Sequence, residues 1–238
     1  MDRFERLLRV RRDDAAYSIA RGGDTDREFL AEKQAKSGPE HERAPAYDYL
    51  TTATTPVATE TYADGMGRIL SAANGVRLNL HLINSGSDPK DAYVVFKVTY
   101  VDPAGLTKKV ASLFLDQLGL SVPPGVSTQA RVYSLPQDID LLLLTNSHMH
   151  ERGTRFVAST NTGQTPYDGT DWSEPKERRF DPPLHLVAGT QITWACTYNN
   201  GTGMTLTFGD SAAKNEMCIF PAEFYDNRGE QLSYVSLL

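Results

Sequence analysis

The chain carries no excess of basic charge: 24 Lys and Arg stand against 30 Asp and Glu, a formal net charge of −6. Phosphate backbones need a basic face, so nucleic acid is excluded as a partner. Long apolar runs are also missing. Stretches such as Leu141 to Leu144 are far shorter than the ~20 residues of a membrane-spanning helix, so no transmembrane segment is expected. Cysteine is scarce, with only Cys196 and Cys218. Two cysteines in a chain of 238 residues can be unpaired core residues or a disulfide, and a disulfide would put the protein outside the cytosol. The opening residues, Met1 to Leu8, lack an apolar core with a small-residue cleavage site, so no secretory signal is read in this chain.

Hydrophobic residues make up 40% of the sequence, enough for a sizeable core. They are unevenly spread. Residues 1–43 hold ten Lys/Arg and ten Asp/Glu, so the net charge belongs to residues 44–238. Residues 1–46 therefore read as a charged extension, partly helical or disordered. Short helices are expected at Glu5 to Tyr17 and at Asp24 to Lys36, the second capped by Asp24 or Thr25 and ended by Ser37-Gly38-Pro39.

From Tyr47 onward, Thr- and Val-rich stretches alternate with Gly, Pro, Asn and Asp. Strands are expected at 76–84, 92–101, 108–118, 128–133, 138–144, 155–159, 184–186, 191–198, 204–208 and 216–225. Val122-Pro123-Pro124-Gly125 reads as a turn, and Asn161 to Arg179 as a long polar loop. Strands at this spacing, with no helical period between them, predict an all-β fold, an antiparallel β-sandwich or jelly roll.

Chemistry concentrates in the last third, in Ser147-His148-Met149-His150-Glu151-Arg152-Gly153 and Asn215-Glu216-Met217-Cys218. Histidines at i and i+2 share one face of a strand. The alternative is a pair of surface imidazoles, but Gly153 lets the backbone pass close to a site. Two imidazoles and the thioether of Met217 form a soft-to-borderline donor set that suits copper cycling between Cu(I) and Cu(II). His185 has no counterpart in this set and reads as structural.

The strand Ile192-Thr193-Trp194-Ala195-Cys196-Thr197-Tyr198-Asn199-Asn200, the stretch from Phe208-Gly209-Asp210-Ser211 to Met217-Cys218, and His148-Met149-His150 with Gly153 together resemble the copper type II, ascorbate-dependent monooxygenases, the relatives of peptidylglycine α-hydroxylating monooxygenase and dopamine β-monooxygenase. The resemblance runs from about Asp88 to Tyr225 and implies the family's C-terminal jelly-roll domain at 88–238, preceded by a remnant of its first domain at 47–87. It implies that His148, His150 and Met217 hold the copper that binds dioxygen, and that Cys196 and Cys218 form the neighbouring disulfide. His81 matches the last histidine ligand of the family's second, electron-transfer copper. That site also needs an upstream pair of adjacent histidines, which this sequence lacks. Peptide-amidating members hold a peptide carboxylate with an arginine and a tyrosine where this chain has Asn146 and Pro221. The implied substrate is therefore a small organic molecule, hydroxylated at a C–H bond by dioxygen with ascorbate as electron donor. The implied location is extracellular or periplasmic.

Two other readings compete. Without the second copper, the domain could bind copper without turnover. A cupin-like metal enzyme also uses His-x-His on a β-barrel, but it adds a carboxylate and a further histidine and has no place for Met217-Cys218.

Overall fold

The computed structural model describes residues 59–68, 99, 101–144 and 147–225, together with backbone strands at 5–10, 17–18, 77–78 and 92–97. In chain order the strands are β1 (Glu5–Val10), β2 (Tyr17–Ser18), β3 (Met66–Gly67), β4 (Arg77–Leu78), β5 (Ala92–Lys97), β6 (Lys108–Leu115), β7 (Ser121–Val122), β8 (Gly125–Ser134), β9 (Ile139–Leu144), β10 (Gly153–Thr160), β11 (Tyr167–Gly169), β12 (Arg178–Leu186), β13 (Gln191–Asn200), β14 (Leu206–Thr207) and β15 (Phe220–Tyr225). One 3-10 turn at Pro103–Gly105 is the sole helical element among the described residues, so the chain is nearly all β.

The chain divides into two compact units. The first comprises Met1–Pro45 with Leu70–Gly105. In it β1 pairs antiparallel with β5, Glu5 opposite Lys97 and Val10 opposite Ala92, and β2 pairs with β4. The helix expected over Glu5 to Tyr17 is thus replaced by strand at Glu5–Val10. An isolated helix of that length is marginal in water, and the β-branched β5 offers each of these residues a ladder partner. The second expected helix, at 24–36, lies outside the described residues.

The second unit comprises Ala46–Ile69 with Leu106–Leu238. It contains a four-stranded sheet in the order β11-β10-β13-β8 and a five-stranded sheet in the order β12-β9-β15-β6-β3. Period-two burial explains β13, where Ile192, Trp194, Cys196 and Tyr198 are buried and the residues between them are more open. β15 is buried on both faces, as befits a strand in mid-sheet. Its Phe220, Ala222 and Phe224 join a single apolar cluster with Leu113 and Leu115 of β6, Phe156 of β10 and Trp194 and Tyr198 of β13. The core therefore draws on both sheets.

The opposite face of β15 carries Glu223, covered by the chain at 60–68. Arg68 Nη2 lies 2.7 Å from Glu223 Oε1, Arg68 Nε donates to Tyr62 Oη at 2.8 Å, and Tyr62 Oη donates to Glu223 Oε2 at 2.9 Å. Burial, followed by a hydrogen bond to Glu60, raises the Glu223 carboxyl above its usual range, against the pull of the Arg68 guanidinium.

The polar stretch 161–179 is less open than its composition suggests. It contains β11 and the start of β12. β12 runs through Pro182 and Pro183, with a cis bond at Asp181–Pro182 and a register shift between Arg179 and Leu184. β12 lies at the edge of its sheet, where a missing N–H breaks no interior ladder. The turn at 122–125 is present, and Gly125 (φ 91°) takes the left-handed conformation that lets β8 start at once.

Candidate metal centre

The histidine pair sits where β9 hands over to β10. It is not in a regular strand. His148 makes an isolated antiparallel bridge with Ile219: its N–H donates to Ile219 O at 3.3 Å, and Ile219 N–H donates back at 3.1 Å. Two residues on, His150 meets the same segment at Asn215 and Glu216. A turn then closes as Gly153 N–H donates to His150 O at 2.9 Å, and β10 begins. The imidazoles of His148 and His150 come together, ring centroids 5.6 Å apart and nearly perpendicular.

His150 is buried, and its orientation is fixed. Nδ1 lies 3.0 Å from the backbone carbonyl oxygen of Asn215. A carbonyl can only accept, so Nδ1 carries the proton and Nε2 carries the lone pair of the neutral ring. Burial lowers the imidazole's pKa, which also favours the neutral form. A ring held at one nitrogen by a backbone carbonyl is the usual arrangement of a metal-ligating histidine.

Met217 is buried at 5% exposure, in the segment that both histidines touch. The strand expected from residue 216 begins only at Phe220, so Met217 is placed by irregular backbone. That backbone is anchored by core aromatics: Tyr198 Oη donates to Met217 O at 2.8 Å, and Trp194 Nε1 donates to Cys218 O at 3.3 Å. Cys196 and Cys218 form a disulfide, both fully buried, which ties β13 to the residue after Met217. Gln117 Nε2 donates to Cys218 Sγ at 3.2 Å.

Gly153 serves a different neighbour from the one its sequence position suggests. A Cβ there would stand 2.7 Å from Met149 Cβ and 2.8 Å from its Sδ, so glycine makes room for Met149, a core residue. Gly209 likewise admits the Asn215 side chain, which a Cβ would approach to 2.6 Å. Glu216, Arg152 and the carbonyl of Asn215 carry no signal in the sequence. Tyr198 shows only as one of the alternating core positions of β13, and no periodicity marks the others; the fold brings them to the site.

Among the described residues no three His, Cys, Asp or Glu side chains gather as a metal-ligand group. His81 and Asn146 lie outside the described residues. Pro221 is buried in β15 opposite Phe114. His185 Nδ1 pairs with Asp140 Oδ1 at 2.9 Å across β12 and β9, away from the histidine pair in sequence and strand. No helix among the described residues is long and apolar enough to cross a membrane. Neither a protein-family model nor a curated protein matches this chain.

Proposed function

We propose that the second unit is a copper-dependent monooxygenase-like domain with one centre formed by His148, His150 and Met217. The observation that carries the reading is the Nδ1–H bond from His150 to Asn215 O, two residues before Met217. It fixes the ring of His150 against the segment that carries Met217. The two sheets around a common core and the buried disulfide accord with a jelly-roll or β-sandwich of the copper type II family.

Copper in such a site would supply the redox chemistry for hydroxylating a C–H bond: one atom of dioxygen goes to product and the other to water, with two electrons and two protons from an ascorbate-type donor. The chain's own part is to hold two imidazoles, one fixed through Asn215, and to keep Met217 in a buried segment pinned by Tyr198 and the disulfide. The substrate is a small organic molecule. The disulfide fits an extracellular or periplasmic protein.

A second reading is a copper-binding module without turnover. It is favoured by the absence of adjacent histidines anywhere in the sequence, since the family's electron-transfer copper requires them. Oxygen uptake separates the two. The copper-loaded chain with ascorbate and a panel of small aromatic and aliphatic substrates should consume oxygen in step with product, and Met217→Ala should abolish it. Copper binding without substrate-dependent uptake would leave the module reading.

A further inference from the structure

We infer that Glu216 and Arg152 are positioning residues of this centre: a buried carboxylate and a guanidinium together hold the His148–Gly153 turn against the Asn215–Met217 segment. The inference rests on the copper reading above.

Glu216 has no exposed surface, and both its oxygens are committed to backbone. Oε2 accepts from His150 N–H at 3.1 Å, and Oε1 accepts from Arg152 N–H at 3.2 Å. Arg152 Nη1 stands 3.5 Å from Oε1 and offsets its charge. A carboxylate used in this way is a clamp for the turn. Its own backbone is fixed too, because Glu216 N–H donates to Thr207 O at 3.1 Å, beside β14.

Arg152 ties the turn to a third segment. Nη1 donates to Ala212 O and Nη2 to Ala213 O, each at 3.0 Å. A planar fork reaches two successive carbonyls; an ammonium does not. His150 is therefore held twice by neighbouring residues, at its ring by Asn215 O and at its amide by Glu216. The ring cannot turn without breaking its bond to Asn215 O. Outer partners of this kind set ligand orientation, and their loss typically lowers metal affinity ~10–100-fold.

The test uses the full chain, wild type, Glu216→Gln and Arg152→Lys. Glutamine keeps the shape but turns one acceptor into a donor facing a backbone N–H. Lysine keeps the charge and loses the fork at a side chain near the surface, so it covers the case in which Glu216→Gln does not fold. Two quantities are read. Cu(I) affinity, by competition with a chromophoric chelator, should fall about 10–100-fold in Glu216→Gln and less in Arg152→Lys. In the metal-free protein, ring nitrogen NMR should show His150 as one Nδ1–H tautomer in wild type and as a mixture in the variants. A merely structural role would lower the melting temperature and move neither reading in the folded protein. Variants that bind Cu(I) within about twofold of a copper-binding wild type and keep the single tautomer overturn the positioning role alone. A wild type that binds no Cu(I) overturns the copper reading and this role with it.

Discussion

Asp116, just past the end of β6, gives the sharpest test of the burial argument. Its Oδ1 is shut off from solvent, and no hydrogen-bond donor reaches it among the described residues. Burial alone raises its carboxyl from the ordinary 3.8 to about 7. The folded state therefore holds the proton between those values while the unfolded chain releases it. The stabilising proton is present in both states below about pH 4, where the carboxyl has no effect on stability. As pH rises towards 7, stability falls; above that it stays reduced. One pKa unit is about 1.4 kcal/mol, so the full loss is about 4 kcal/mol, an upper limit because the residue is only partly enclosed. Asp116→Asn cannot ionise. Its stability relative to wild type should rise by about 2–4 kcal/mol between pH 4.5 and pH 8. Urea unfolding followed by tryptophan fluorescence reads this directly, because the only two tryptophans, Trp172 and Trp194, both lie in the second unit. A difference between variant and wild type that does not change across that pH range would refute the reasoning, since Asp116 would then ionise normally in the fold.

Two further outcomes concern the same unit. Replacing both Cys196 and Cys218 with alanine opens a loop spanning 22 positions and should cost about 3 kcal/mol, seen as a lower urea midpoint. Native wild type should show no thiol titre, since neither cysteine is free. Arg68→Met removes the cation from the carboxyl pair of Glu60 and Glu223 and should destabilise by about 3–5 kcal/mol at neutral pH in thermal unfolding. That loss should shrink as pH falls, because the buried carboxyls then take up protons in the fold and need the cation less. Adding Glu223→Gln should recover much of it.

Much of the second unit was legible in the sequence because its strands are half-buried and alternate. Trp194, Cys196 and Tyr198 show this on β13, and the turn residues Pro123, Pro124 and Gly125 mark where β8 begins. What escaped was structure set by long-range pairing. β11 lies in a polar stretch and exists through its ladder with β10. β12 passes through Pro182 and Pro183, where only residues 184–186 were expected as strand, and its edge position permits them. β1 shows no strand period and is set by β5. At the site, the spacing of His148 and His150 was visible, but the reason assigned to it was regular strand. The rings meet instead across a bridge and a turn. Glu216 and Arg152 were invisible because charged residues next to a motif read as solvated; here one is wholly buried against backbone amides.

The central claim is tested most directly by copper stoichiometry of the purified, oxidised chain together with X-ray absorption of its Cu(I) form. The account predicts one copper per second unit, with two imidazole nitrogens and a sulfur scatterer that disappears in Met217→Ala. Copper without sulfur, or no copper at all, would contradict it.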